Sequence, residues 1–313
     1  MTGPAASPAS VGFLGPEGTF TEQALLTQPD LAGARLVPLG SIPDVLAATA
    51  AGEVDLGFAA IENSIEGTVN VTLDTLAFEA DLLIQREVVI SVQLNLLATP
   101  GTSLGDIRSV ISFPHAAAQC RGFLTRELPG AETQAANSTA HAARLVGASE
   151  DPTTAAIGTA LAADIYGLEI LAEDVEDHPE NQTRFVLVAP EGVPAPTGHD
   201  KTSIVVFQRS DRPGSLLGIL QEFAARAINL TKLESRPTKQ GLGDYCFIID
   251  LEGHVADELV ADCLRNLRSK QADVKFLGSY PAVGVEAETA RRDADAAWAA
   301  ADAWLRELRD QIR

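Results

Sequence analysis

A short apolar strand, a turn of glycine or small polar residues and a capped helix start recur along the first part of this chain, and that alternation constrains its fold more than any single residue does. Val11 to Leu14 reads as a buried strand, Gly15-Pro-Glu-Gly18 turns, and Thr19-Phe-Thr-Glu22 supplies a capping box that opens a helix through Leu26. Leu56 to Ile61 is a second strand, running into Glu62-Asn63-Ser64-Ile65-Glu66-Gly67-Thr68 before a helical pattern from about Val69 to Phe78. Ser109 to Ser112 leads into Phe113-Pro114-His115 and a helix carrying Gln119 and Cys120, and Asn137-Ser138-Thr139 caps another helix through Val146. Ala155 to Ile157, followed by Gly158-Thr159, opens a last helix to Tyr166. Strands alternating with helices specify parallel sheets wrapped by helices, whose ligands sit beyond the carboxyl ends of the strands, where these polar loops gather.

The turn at Gly15 to Gly18 has the geometry of an anion site, with an unoccupied tight βα turn as the plain alternative. Glycines at 12, 15 and 18 do not fit the dinucleotide fingerprint and no acidic strand end follows, which excludes a nucleotide there. Leu82 to Ile84 and the alternating Val88 to Leu97 have no glycine turn between them and are expected to carry the chain from one lobe to another. A return crossing before Asn181 would place His178-Pro-Glu-Asn-Gln-Thr-Arg-Phe185 in the hinge cleft, just ahead of the apolar Val186-Leu-Val188. That stretch sets an amide pair, a hydroxyl, a guanidinium and a ring against a buried run; the bland reading is a solvated loop.

The lobes must house their chemistry without lysine. The first lysine is Lys201, and Arg35, Arg86, Arg108, Arg121, Arg126, Arg144 and Arg184 are the fixed cations before it, which excludes Schiff-base chemistry and a P-loop from that region. A formal net charge of -20 argues against nucleic acid and anionic membrane surfaces as partners, and any anionic substrate must be neutralised locally against that field. Cys120, Cys246 and Cys263 form neither a disulfide framework nor a Cys-x-x-Cys site, and the five histidines show no metal-ligand spacing, so reduced core thiols and no metal are expected. Met1 to Ser10 lacks a basic start and a long apolar core, and no run reaches membrane-span length, so a cytoplasmic protein is expected. At 313 residues and 46% hydrophobic, two or three domains are expected.

Gly15-Pro-Glu-Gly-Thr-Phe20, Glu62-Asn-Ser64 with Glu66-Gly67, and Asn181-Gln-Thr-Arg-Phe185 resemble, in the same order, the signature blocks of the prephenate dehydratases; the resemblance covers roughly Val11 to Pro281. It implies an α/β fold with a two-lobed, periplasmic-binding-protein-like (type 2) catalytic domain over residues 9–189, the second lobe at about 90–175. It also implies no cofactor, and a monofunctional conversion of prephenate to phenylpyruvate, water and carbon dioxide. Aromatisation drives that reaction, so the leaving hydroxyl needs a proton donor and the rest needs positioning. Thr183 is the candidate donor, with Glu66 in an apolar pocket as the alternative acid. Thr19, Phe20, Thr21, Asn63, Ser64, Gly67, Asn181, Arg184 and Phe185 are the candidate substrate contacts, with Arg184 either holding a carboxylate or serving as a structural ion-pair partner. Arogenate dehydration, which an anionic partner in the pocket would favour, and non-catalytic amino-acid sensing are the alternatives.

After Ala189 the composition shifts to a linker over Pro190 to Asp200, with three prolines and two glycines in eleven residues. Residues 201–281 then read strand, helix, strand, strand, helix, strand, the ferredoxin-like βαββαβ order. Arg212-Pro-Gly-Ser-Leu-Leu217 and Glu234-Ser-Arg-Pro237 resemble the amino-acid-binding blocks of an ACT domain. The resemblance implies phenylalanine as a feedback effector at Gly214, Ser215, Leu216, Leu217, Asn229, Leu230, Glu234 and Ser235, and a homodimer or homotetramer with effector sites between chains. A chain cut near Pro190 is expected to keep its activity if the lobes fold alone, and to lose its response to phenylalanine. Over 282–313, Trp298, Ala301, Leu305, Leu308 and Ile312 predict a C-terminal amphipathic helix.

Overall fold

A computed structural model describes residues 10–31, 33–149, 151–208, 212–239, 241, 244–271, 273–283, 303, 304, 306 and 309. The C-terminal stripe of Trp298, Ala301, Leu305, Leu308 and Ile312 lies outside these residues. The chain divides into two compact units, Met1–Thr75 with Val88–Leu187, and Leu76–Glu87 with Val188–Arg313.

The first lobe opens with β1 (Ser10–Leu14), α1 (Phe20–Leu26), β2 (Arg35–Leu39), α2 (Ile42–Ala50) and β3 (Leu56–Asn63). A short β4 (Gly67–Thr68), α3 (Asn70–Asp74) and β5 (Leu83–Ser91) follow. The helix expected from Val69 to Phe78 changes its hydrogen-bond spacing midway, α3 giving way to a π-turn over Thr75–Glu79. Thr19 and Ser41 cap α1 and α2 with hydroxyls that accept from the backbone three residues on, as short polar side chains do at helix starts. The sheet order is β2-β1-β3-β11-β5, where β11 is the later strand Gln182–Ala189, with β1 parallel to both β2 and β3. Val11, Phe13, Leu25, Phe58 and Phe185 form its core.

The second lobe contains β6 (Asn95–Ala98), β7 (Ser109–Ser112), α4 (Pro114–Gln119), α5 (Arg121–Glu127), β8 (Glu132–Ala135), α6 (Thr139–Gly147), β9 (Thr154–Gly158), α7 (Ala160–Tyr166) and β10 (Glu169–Ala172). Its sheet runs β10-β6-β9-β7-β8, with β7 parallel to β8 and β9, and β6 antiparallel to β9 and β10. The chain returns through β11 (Gln182–Ala189) to the first sheet. Both lobes thus place three parallel strands beside two that carry the chain in and out, the two-lobed plan expected above. Gly18 (φ 86°) lies against α7 so closely that a Cβ would meet Ala162 at 3.0–3.1 Å, and Thr159 Oγ1 donates to the Gly18 carbonyl at 2.8 Å. The glycine here is required by both its backbone conformation and the lobe-to-lobe approach.

Beyond the linker, β12 (Asp200–Phe207), α8 (Ser215–Ala224), β13 (Leu230–Pro237), β14 (Tyr245–Glu252), α9 (Glu258–Lys270) and β15 (Asp273–Pro281) complete the expected βαββαβ order in an antiparallel sheet, β13-β14-β12-β15. Ile204, Val206, Ile219, Phe223, Ile249 and Leu267 are its core. In the same unit the start of β5 is held firmly. Glu87, 1% exposed, takes both of its carboxylate oxygens to Lys201 Nζ at 2.9 Å, and accepts from the Val283 amide at 2.8 Å. A Cβ on Gly278 would meet the Ile84 carbonyl at 2.5 Å. Among the described residues, no helix is long and apolar enough to cross a membrane.

Candidate active site

The loops that leave the carboxyl ends of β1, β3 and β7, with the starts of α1, α4, α6 and β11, enclose a cleft of about 280 Å³ between the lobes. Its walls include Leu14, Thr19, Phe20, Thr21, Asn63, Phe113, His115, Gln119, Asn137, Ser138, Thr139, Asn181 and Thr183, and its lining contains neither Asp nor Glu. Phe20 packs on the cores of both lobes, so the floor of the cleft is a continuous apolar surface.

Asn63 organises the chemistry. Its Oδ1 accepts from the backbone amides of Ile65 and Glu66 at 3.0 and 2.9 Å, and since amides only donate, the orientation of the side-chain amide is settled. Asn63 Nδ2 therefore donates to Thr183 Oγ1 at 2.9 Å and to Asn181 Oδ1 at 2.8 Å. The directions then propagate: Asn181 Nδ2 donates to Gln119 Oε1 at 3.1 Å, and Gln119 Nε2 to Glu66 Oε1 at 3.2 Å. With the Glu66 amide returning to Asn63, the ring closes across both lobes. Glu66 Oε2 also lies 3.0 Å from His115 Nδ1. Because Thr183 Oγ1 accepts from Asn63, the Thr183 proton is left to point into the cleft, which is half the work of a proton donor.

Of the residues singled out from sequence, Thr19, Phe20, Thr21, Asn63, Asn181 and Thr183 meet at the cleft. Thr19 also has a structural task, donating to the Leu14 carbonyl and capping α1. Ser64 sits behind the wall, its hydroxyl and amide fastening the β3 loop to the backbone of Gln182 at 2.9 and 2.8 Å. Gly67 (φ 81°) makes the hairpin turn opposite Asn63 and does not line the cleft. Glu66 is at the rim, bridging to α4 rather than entering an apolar pocket. Two placements differ from a substrate-contact role. The Arg184 guanidinium pairs with Glu62 at 2.9 Å, the structural reading of that residue, and Phe185, 1% exposed, stacks on Phe58 at 5.3 Å between ring centres inside the first-lobe core.

The second lobe supplies residues that were not singled out. His115 and Gln119 are the polar members of Pro114-His-Ala-Ala-Ala-Gln119, four apart and so on one face of α4. Asn137, Ser138 and Thr139 form the cap expected from sequence, Ser138 accepting from the His141 amide at 3.0 Å, and all three also line the cleft. All three cysteines are buried, and burial pushes the Cys120 and Cys263 thiols up to about 12, which leaves them inert. No group of three His, Cys, Asp or Glu among the described residues is placed to hold a metal ion.

In the second unit, Gly214 (φ 87°) precedes α8, with Ser215, Leu216 and Leu217 in its first turn, and Leu217 is 59% exposed. Asn229, bonded to Glu252 Oε1 at 2.9 Å, and Leu230 lie past the far end of α8, ten residues or about 15 Å along its axis. Glu234 and Ser235 are farther along β13, near Lys232 and Arg236, whose charges lie 3.7 Å from the Glu234 carboxylate.

Comparison with known proteins follows the same division. Residues 11–192 match the family described as Prephenate dehydratase, and residues 202–269 match the ACT domain. The prephenate dehydratase of Mycolicibacterium vanbaalenii is 46% identical over 285 residues, which are 87% of this chain and 90% of the relative. The solved prephenate dehydratase of Arthrobacter aurescens, in complex with L-Phe, is 42% identical and superposes with a TM-score of 0.87 over 96% of this chain and 99% of that one. GqqA, described as a novel type of quorum quenching acylase, is 31% identical with a TM-score of 0.78 over 87% of this chain and 97% of that one.

Proposed function

The chain belongs to the prephenate dehydratase family of hydro-lyases, and on that footing we propose that Thr183 is the proton donor of a decarboxylating dehydration carried out in the cleft. The direction of the Asn63–Thr183 hydrogen bond carries this reading. Thr183 gives its proton to the ring hydroxyl as the C–O bond breaks; the C–CO₂ bond breaks with it, its electron pair entering the ring. Water, carbon dioxide and the aromatic oxo acid leave, and Thr183 regains a proton from solvent. A threonine is a weak acid, so the N–H of Asn63 is placed to stabilise the charge that gathers on Oγ1 in the transition state. Aromatisation supplies the remaining drive.

An acyl-transfer reading, raised by the acylase relative, needs a hydroxyl held against a base, whereas the partner of Thr183 is an amide that donates to it. Incubating the purified chain with prephenate and following the alkaline absorbance of phenylpyruvate, and in parallel with arogenate and following the formation of phenylalanine, tests the assignment: turnover of arogenate alone, or of neither, rejects it.

For the second unit we propose feedback control by phenylalanine bound between two chains. Gly214 to Leu217 and Asn229 to Leu230 stand at opposite ends of α8, too far apart for one amino acid to touch both in a single chain. A second copy related by a twofold axis brings one end against the other. Light scattering should show a dimer or larger assembly; a monomer at micromolar concentration with and without phenylalanine would contradict it.

A further inference from the structure

The cleft lining contains no Lys or Arg, and Arg184 is held by Glu62. Beyond Leu14, Gly15, Asn137 and Ser138, which line both spaces, a second cavity of about 700 Å³ continues the cleft. Glu17, His141, Arg144 and Tyr166 are among its walls, and Arg144 is the one fixed cation lining either space among the described residues. Its side chain makes no hydrogen bond or ion pair among the described residues, unlike Arg108, Arg126 and Arg184, whose guanidinium groups have carbonyl or carboxylate partners. His141 and Arg144 are three residues apart on one face of α6, whose start follows Asn137 and Ser138, and helical side chains lean toward the N-terminus. That lean carries the guanidinium back toward the wall shared by the two spaces. Tyr166, whose hydroxyl donates to the Glu17 carbonyl at 2.9 Å, stands beside it: burial raises the phenol, and the Arg144 charge acts in the opposite sense.

We propose that Arg144 binds the oxo-acid carboxylate of the substrate, the one retained in the product. The inference rests on the dehydratase reading of the cleft. With the ring hydroxyl at Thr183, the opposite ring carbon carries both the carboxylate that is lost and the oxo-acid arm. A guanidinium on the departing carboxylate would stabilise charge that the transition state must give up, and would slow the reaction. On the oxo-acid carboxylate it holds ground state and transition state alike, so it acts on binding and leaves the chemical step alone. It also meets the demand for local neutralisation that a chain of net charge -20 imposes on a dianion.

Steady-state kinetics of the full-length chain test this. Arg144→Ala should raise KM for prephenate about 10- to 100-fold with kcat within about threefold of the original. The inhibition constant of phenylpyruvate, used as a competitive inhibitor, should rise by a similar factor, and Arg144→Lys should recover part of both losses. Arg144 is exposed on its helix, so the melting temperature should not move. An unchanged KM, an unchanged phenylpyruvate constant, or a fall in kcat at constant KM would each overturn the assignment. If the unaltered chain fails to turn over prephenate, the dehydratase reading fails first, and that result is seen before any variant is made.

Discussion

Each lobe sets a helix start behind a strand at the edge of the cleft, yet the two starts are filled by opposite means. In the first lobe, Glu22 folds back so that its carboxylate accepts the Gly18 amide at 2.5 Å, and Thr19 caps the same turn. The anion site anticipated at Gly15 to Gly18 is occupied by the chain itself. In the second lobe, α6 begins with neutral Asn137, Ser138 and Thr139 on the cleft, and carries His141 and Arg144 along its wall. The first lobe, self-neutralised, offers directed hydrogen bonds; the second offers positive charge. Proton donation and anion binding are thereby assigned to opposite walls, which lets each be perturbed alone.

The sharpest break is Thr183→Ala, expected to lower kcat by about two to four orders of magnitude with KM nearly unchanged, while Thr183→Ser keeps much of the rate. Near-native kcat in the alanine variant, joined to a dead Glu66→Gln, would move the acid to the rim. Asn63→Asp should cost about 100-fold in kcat at almost constant volume, because the new carboxylate accepts where the amide donated and turns the Thr183 proton away from the cleft. Equal rates for the parent and the Asn63→Asp variant would show that the direction of this bond is irrelevant. The smallest effect concerns the self-filled start. Burial holds the Glu22 carboxyl above its ordinary value, partly opposed by the Gly18 amide. A raised carboxyl contributes stability that is present below the unfolded value and lost as pH rises through the folded one. Glu22→Gln should therefore gain in melting temperature relative to the parent as pH goes from 4 to 7, by about 2 °C, readable by calorimetry. A gain that shrinks over that interval would mean the carboxylate is favoured where it stands.

Local signals explain what was legible in the sequence. Thr19, Ser138 and Thr159 announce helix starts because a cap bonds three residues away, and the βαββαβ order follows from strand and helix periods alone. Phe185 was harder. The core half of β11 is buried on both faces, so alternation does not distinguish a residue facing the cleft from one facing Phe58. Arg184 finds Glu62 across 122 residues of sequence, and Glu66 meets His115 across 49; pairings of that range depend on how the lobes close and leave no trace in spacing. Arg144 gave no signal at all, since a cation seven residues past Asn137 gains meaning only when two cavities share a wall.

The hold on the start of β5 changes what it means to remove the C-terminal domain. Leu76–Glu87 belongs to the second unit, and the same strand continues as Val88–Ser91 into the sheet that carries Thr183. Ending the chain near Pro190 takes Lys201 and the Val283 amide from a carboxylate that is 1% exposed, and takes Gly278 from Ile84. The cut also uncovers the apolar start of β5, where Ile84 is fully buried against Gly278, and opens that segment of the strand to water. The shortened chain would thus lose activity through unfolding, whether or not it had lost its regulator. Uncoupling the effector cleanly calls for substitutions at its contacts in a whole chain, because the catalytic sheet and the regulatory domain draw on one strand.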